Sequence, residues 1–337
     1  MLIAGHAWIS RAMHPTTRID LLRQALSHYE REFIMTLGYD HDLYMLAFDH
    51  RGSFQKQLFG ITGAPTPQEI ARISDTKMLI FEGFLKAHGQ GALPEGAGIL
   101  VDEEFGVSVA RRAKELGVVL AMPVEASGRD EFDFEFGADF GGHIEALDPT
   151  FAKVLVRYNP EGDADMNQRQ TARLRQLSDW LHARDRKFLY ELLVPPTAEQ
   201  LAAVDEDMDR YDREIRPGLV VQTIAAAQRA GVEPDVWKIE GLDKREDCQR
   251  VAEQARQGGR DHVACIVLGR GASRTRVEQW LQAGAGVPGY RGFAIGRTLW
   301  WDALTGFRDG TLDRDSAARH IATHYLQAID VYRSASS

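Results

Sequence analysis

Among its 337 residues the chain has only two cysteines, Cys248 and Cys265, and no CxxC pair. That excludes a multi-bridge disulfide framework and fits a reducing, cytoplasmic setting. No apolar run approaches the ~18 residues of a membrane span. The first residues show no charged region followed by a long apolar core, so no signal peptide is expected. There is no excess of positive charge: 40 Lys and Arg stand against 49 Asp and Glu, a net charge of -9. This argues against nucleic acid as a partner, as the missing spans argue against a membrane. Local basic pockets for an anionic metabolite remain compatible with it. Low-complexity tracts, Ser/Gly-rich linkers and literal repeats are all missing. So are HExxH, an HxH after a strand, and GxSxG. His320 and His324 stand i,i+4 on the closing helical segment without a matching acid cluster, which reads as a surface face rather than a zinc site.

What is present is a composition of ordinary globular kind, 44% hydrophobic and 26% charged, with a repeated pattern. Short apolar runs alternate with amphipathic segments. The runs are YMLAF (44–48), AGILV (97–101), VVLAM (118–122), AKVLVRY (152–158), KFLYELL (187–193), PDVWKIE (234–240), HVACIVL (262–268) and GFAIG (292–296). Near-continuous runs of this length suit strands buried on both faces of a parallel sheet. Between them, EEFGVSVARRAKELG places Val109, Ala110, Ala113 and Leu116 on one helical face and ends on Gly117. A second helix keeps Leu174, Leu177, Trp180 and Leu181 together. Others run from Pro217 to Gly231, and from Ser273, a residue suited to capping, over Val277, Trp280 and Leu281. The last carries Ile321, Tyr325 and Ile329.

Eight strand–helix units over about 250 residues predict a (β/α)8 barrel. The rival, a doubly wound open sheet, lacks its GxGxxG after the first strand. Residues 1–40 read as an N-terminal helical extension and residues 41–337 as a single barrel. The extension is compatible with an arm in a homo-oligomer, and the sequence leaves the oligomeric state open.

In such a barrel the chemistry sits at the C-terminal ends of the strands. Strand one ends in Asp49, His50 and Arg51, strand two in Asp102, Glu103 and Glu104, and strand three leads to Glu125. Strand four holds Lys153 and ends in Arg157. Strand five ends near Glu191, and strand six holds Lys238 and Glu240. Arg270 follows strand seven and Arg297 strand eight. A single rim charge of this kind is as easily solvated and inert. Lysines inside apolar runs are different, because a buried ammonium is costly without a partner or a task. Burial and a second cation both depress a lysine pKa. A lysine so depressed attacks ketones and aldehydes to form a Schiff base, and a carboxylate such as Glu191 can move the proton of a substrate hydroxyl. Arginines and amides after strands seven and eight suit a phosphate.

The ordered set LAFDHRG, LVDEEFG, AKVLVRYNP, YELL, VWKIEG, VLGRGAS and GFAIGRTLW resembles the bacterial class I aldolases of the tagatose-bisphosphate aldolase type. It looks closer still to the aldolase domain often fused behind 5-dehydro-2-deoxygluconokinase in inositol catabolism. The resemblance runs from Tyr44 to Tyr332 and implies a (β/α)8 barrel with Schiff-base catalysis that needs no metal and no cofactor. It assigns Lys238 as the imine-forming lysine, Lys153 as its cationic neighbour and Glu191 as the acid/base. Asp49, Arg51 and Asp102 would face the substrate. Gly269, Arg270, Gly296 and Arg297 would hold its phosphate. The implied reaction is cleavage of a phosphorylated ketose to dihydroxyacetone phosphate and an aldehyde. For the inositol branch the substrate is 5-dehydro-2-deoxy-gluconate 6-phosphate and the aldehyde malonate semialdehyde; the alternatives are tagatose bisphosphate and sulfofructose phosphate. Two departures bear on the substrate: LGRGAS stands where the tagatose type usually shows a serine, and KIEGLDKRED where the fused relatives carry prolines. Two readings of other classes remain, a sugar-phosphate-binding barrel without turnover and a metal-dependent lyase using Asp102 and Glu125.

Overall fold

Each of the eight apolar runs forms a parallel strand, and together they close a barrel in sequential order. The structure is a computed structural model that describes residues 37–89 and 95–336. The strands are β1 (Leu43–Ala47), β2 (Ala97–Leu100), β3 (Val119–Pro123), β4 (Phe151–Arg157), β5 (Lys187–Leu193), β6 (Val236–Glu240), β7 (Ala264–Leu268) and β8 (Tyr290–Ile295). The helices that follow them in turn are α1 (Pro67–Gly89), α2 (Glu103–Glu115), α3 (Phe140–Leu147), α4 (Ala164–His182), α5 (Arg216–Arg229), α6 (Arg245–Ala255), α7 (Arg274–Gly284) and α8 (Arg297–Arg308). A further helix, α9 (Arg314–Ser336), packs on α1, α7 and α8. The expected (β/α)8 barrel is the observed fold.

The period of two along the strands divides their side chains between two cores. One set fills the barrel: Leu43, Met45, Ala47, Leu100, Ala121, Phe151, Leu189, Val236, Ala264, Ile266 and Ala294. The other, including Leu46, Phe48, Val154, Trp237 and Ile295, packs against the helices. Both sets are apolar, which is why the strands read as unbroken runs. Ser273 caps α7 by accepting from the Arg276 amide. Ile321, Tyr325 and Ile329 are buried as expected. Leu116 is not: it lies past the last residue of α2 and is 44% exposed. Both cysteines are free and buried, and burial pushes the Cys248 thiol up to about 12.

Of the extension expected at residues 1–40, residues 37–40 belong to the same compact unit as the barrel. Residues 1–36 fall outside the described part of the chain, and so does most of the expected extension. Leu37 begins the barrel's own compact unit. The Gly38 amide donates to Asp235 at 2.8 Å, and the Tyr39 amide donates to the His262 carbonyl at 2.8 Å. Gly38 has a φ of 118°, and a Cβ there would lie 2.1 Å from the His262 carbonyl. Only glycine permits that approach. The Tyr39 ring then packs against Phe151 at 5.0 Å, at the N-terminal end of the barrel.

The opposite end of β1 is held from outside the sheet. Lys77 of α1 is fully buried. Its ammonium donates to the Phe48 and His50 carbonyls at 2.9 Å each and pairs with Asp102. Asp102 also caps α2, accepting from the Phe105 amide at 2.8 Å. Removing one partner of a buried ion pair leaves the other uncompensated. Asp102→Ala is therefore expected to cost about 3–5 kcal/mol in urea unfolding, and a loss below about 1 kcal/mol would show that Lys77 does not depend on it.

Candidate active site

On β4, β5 and β6 the inward residues towards the C-terminal ends include charged ones, where the layers below them are apolar. Parity carries β4 from Phe151 through Lys153 to Leu155 and Arg157, β5 from Leu189 to Glu191, and β6 from Val236 through Lys238 to Glu240. Glu191 stands directly opposite Lys238 in the β5–β6 register. These groups line a cavity of about 620 Å³ at the mouth, within the range of small-molecule sites.

Lys153 and Lys238 do meet over Glu191. One carboxylate oxygen, Glu191 Oε2, lies 2.9 Å from Lys153 Nζ and 3.0 Å from Lys238 Nζ. Lys153 has two further carboxylates, Asp49 and Glu125, at 2.8 Å each. Among the described residues Lys238 has none besides Glu191 within ion-pair distance. The two lysines are 1% and 3% exposed, so neither exchanges these partners for water.

The electrostatics follow from that count. Burial opposes the charge on Lys153, but Asp49, Glu125 and Glu191 outweigh it and hold the ammonium well above the usual lysine range. Lys153 therefore carries its charge, as expected of a cationic neighbour, and the depression that burial alone would give a lysine does not hold there. Burial would raise Asp49, yet Lys153, Lys238 and His50 keep its carboxyl well below the ordinary value. Glu191 is likewise lowered, with Lys153 and then Lys238 outweighing its burial. At Glu125 burial wins over Lys153 and Arg51, and the carboxyl is raised. Its second oxygen is buried without a hydrogen-bond partner. His50 is pushed down to about 4, first by burial and then by Arg297, Lys238 and Lys77.

The sequence model of the family described as "Uncharacterized protein conserved in bacteria (DUF2090)" matches residues 8–336. The chain belongs to the DUF2090 family. This DUF2090 chain is 27% identical over 175 residues to tagatose 1,6-diphosphate aldolase 2 of Streptococcus pyogenes serotype M1, a match covering 50% of each chain. It thus spans about half the length of the first curated relatives it matches. It is 24% identical over 323 residues to tagatose 1,6-diphosphate aldolase 1 of the same serotype, covering 89% of this chain and 93% of the relative. The crystal structure of Cgl0159 from Corynebacterium glutamicum shares the fold, with a TM-score of 0.52, 17% identity and coverage of 94% and 98%.

Around the lysines, the DUF2090 chain brings most of the expected binding residues to the cavity wall: Asp49, Arg51, Gly269, Arg270, Gly296 and Arg297. Asp102 is the exception. It is fully buried against Lys77 and does not line the cavity. β2 ends at Leu100, and past the sheet the alternation no longer fixes where a side chain points; the cap of α2 takes Asp102 outward. Arg51 donates to the Glu125 carbonyl at 2.6 Å and to Glu135 at 2.8 Å. It thereby ties the end of β1 to the segment after β3. Arg270 reaches Glu240 at 3.1 Å and Asp212 at 2.6 Å. Glu240 is thus an arginine partner, not a lysine one. Among the described residues Arg297 keeps a buried Nε without a partner and donates to the Arg270 carbonyl at 3.1 Å. A Cβ at Gly296 would lie 2.4 Å from the Ala47 carbonyl, so glycine is what lets α8 begin against β1. Among the described residues no group of three or more His, Cys, Asp or Glu is placed to hold a metal ion.

In the sequence Glu125 stands out as the charge after β3 and as a residue of the metal-dependent alternative, not as a partner of Lys153, and His50 only as a neighbour of Asp49. Glu125 follows Pro123 by the inward period of two, and that was its available signal.

The cation at the centre makes a stability prediction. Asp49 and Glu191 have lowered pKa values, so they stabilise the fold above the ordinary carboxylate range, and this is lost only as pH falls through their folded values. Lys153, raised, stabilises at every pH below the ordinary lysine range and beyond it. Lys153→Met removes the cation and leaves three buried carboxylates under the upward push of burial. Its deficit is expected to be about 3–5 kcal/mol at pH 8 and clearly smaller at pH 5, where those carboxylates take up protons. Urea unfolding at the two pH values measures it; a deficit that does not shrink on acidification contradicts the charge balance described.

Proposed function

We propose that this protein is a class I aldolase that cleaves a phosphorylated ketose through a Schiff base on Lys238, releasing dihydroxyacetone phosphate and an aldehyde. The observation that carries the reading is the asymmetry between the two lysines. Lys153 is ringed by three carboxylates and keeps its proton. Lys238 has one carboxylate within ion-pair distance, and that one is already shared. This unequal pairing supports Lys238, rather than Lys153, as the nucleophile.

The steps balance on these groups. Glu191 accepts a proton from Lys238, whose free amine adds to the substrate ketone. Glu191 returns that proton to the carbinol oxygen, and loss of water gives the protonated imine and a free Glu191 carboxylate. Glu191 then takes the proton of the hydroxyl two carbons away, the carbon–carbon bond between them breaks, and the aldehyde leaves. The bonding pair moves into the imine to form an enamine. Protonation of the enamine and hydrolysis release dihydroxyacetone phosphate and restore Lys238. Lys153 stays an ammonium throughout and stabilises the charge on Glu191 and on the departing oxygen. In this reading Gly269, Arg270, Gly296 and Arg297, which line the cavity, bind the phosphate, and Asp49 and Arg51 contact the substrate hydroxyls.

The aldolase names of the relatives support this reaction type. Among substrates, those names favour tagatose 1,6-bisphosphate, and the sequence resemblance favours 5-dehydro-2-deoxy-gluconate 6-phosphate. A panel of the two with sulfofructose phosphate, coupled to detection of dihydroxyacetone phosphate, ranks them.

Borohydride reduction in the presence of dihydroxyacetone phosphate tests the mechanism. A mass adduct is expected at Lys238 and not at Lys153. Lys238→Met should lose the adduct and at least about 10³-fold in turnover, in keeping with removal of a covalent catalyst. No adduct at Lys238 under saturating ligand would sink the reading. A chelator should leave the activity unchanged, which separates it from a metal-dependent lyase.

A further inference from the structure

A second concavity lies at the opposite end of the barrel from the lysines and has no part in the chemistry above. Its volume is about 390 Å³, and it opens between the N-terminal ends of β1 and β8, the loop leading into β8 and the last turn of α9. Three of its lining residues are arginines, Arg256, Arg291 and Arg333, and one, Asp42, is a carboxylate. A chain whose net charge is -9 thus gathers positive charge in one hollow, where low-dielectric walls focus the field.

Backbone, rather than counter-ions, places these charges. Arg256 follows α6, and its Nε and Nη2 both donate to the Asp261 carbonyl, Nε at 2.8 Å. A carbonyl fixes a guanidinium without cancelling its charge. Gly289 makes room for it: a Cβ there would lie 3.0 Å from Arg256 Cδ, and its φ of 101° favours glycine. Arg291 is the second residue of β8 and is half-buried. Among the described residues neither Arg256 nor Arg291 has a carboxylate within ion-pair distance. On the α9 side, Arg333 acts on the Tyr44 hydroxyl against burial and Asp42, which raise it. The Asp42 carboxylate is itself engaged, accepting from that hydroxyl at 2.8 Å. The Tyr332 ring lies 5.8 Å from the Tyr44 ring. Its buried hydroxyl stands by the Gly292 amide but closes no hydrogen bond. A buried hydroxyl without a partner is uncommon, and an anion held in the hollow would bring an acceptor towards it.

We propose that this hollow is a second ligand site, which takes a small anion carrying two or more negative charges, on phosphate or carboxylate groups, between Arg256, Arg291 and Arg333. Planar guanidinium groups suit either oxyanion. More than one charge is needed to balance three arginines against one engaged carboxylate. The site is remote from the reacting bond: Arg291 stands near the start of β8, and Arg297 follows its other end. Its occupant is therefore not the group that Lys238 acts on, and the inference goes beyond the aldolase reading without resting on it.

Calorimetric titration of the full chain with pyrophosphate and with citrate tests the site. The mouth has arginines of its own, so the comparison is made in Arg297→Ala. In that variant at least one of the two probes is expected to bind. Adding Arg291→Ala should weaken it roughly 10- to 100-fold, the range expected for hydrogen bonds to a charged group. Arg291→Lys, which keeps the charge, should restore part of the loss. Arg333→Ala, at an exposed position, should weaken binding as well, and it decides the matter if Arg291→Ala does not fold. The tighter probe names the group, phosphate or carboxylate. The site is overturned if both probes bind the unaltered chain but not Arg297→Ala, or if binding survives Arg291→Ala and Arg333→Ala alike. Failure of both probes to bind at millimolar concentration overturns it too.

Discussion

A single carboxylate oxygen, Glu191 Oε2, sits between two buried ammonium groups, and the organisation of the mouth depends on how unequally they hold it. Two lysines in an apolar barrel would repel each other and each be driven towards the neutral amine. Three carboxylates around one of them break the symmetry. Lys153 becomes a fixed positive charge, a structural cation built from the chain itself. Lys238 is left with the smaller share of one carboxylate. The same cluster is close to neutral as a whole, with Asp49, Glu125 and Glu191 set against Lys153, Lys238 and Arg51. A buried cluster of this size survives only when its charges cancel and its hydrogen bonds are met. The unpartnered oxygen of Glu125 is where that satisfaction stops.

The fold was legible to the extent that burial on both faces makes a strand look different from everything else. All eight strands were marked by runs with no polar alternation, and an internal lysine could be recognised as foreign because of its surroundings. Lys153, Glu191 and Lys238 were therefore readable. Their partnership with one another needed only the barrel's closure and register, which the repeated unit implies. What the sequence could not show was anything set beyond a strand's last residue. Asp102 has the same distance from Leu100 as an inward residue should have, yet it leaves the sheet and serves α2 and Lys77. Glu125 looks equivalent to Asp102 on the page but stays inward, because residues 124–135 pair back on themselves and keep its backbone extended. Lys77 gives no local sign at all. On an amphipathic helix it reads as one more solvated charge, and only the packed structure reveals two carbonyls and a carboxylate around it.

Stability and site geometry are joined through that last residue. The carbonyls that Lys77 binds, of Phe48 and His50, flank Asp49, whose carboxylate is one of the three on Lys153. A buried cation outside the sheet thus holds the backbone from which a buried carboxylate reaches a second cation inside it. The chain Asp102–Lys77–β1–Asp49–Lys153–Glu191–Lys238 runs through residues on or just past five strands, β2, β1, β4, β5 and β6, and through one helix. Its members cannot be shifted singly, since each move exposes a charge to a low-dielectric interior. Such a framework pins the groups around Lys238 and Glu191, the pair between which the proposed reaction would move its proton.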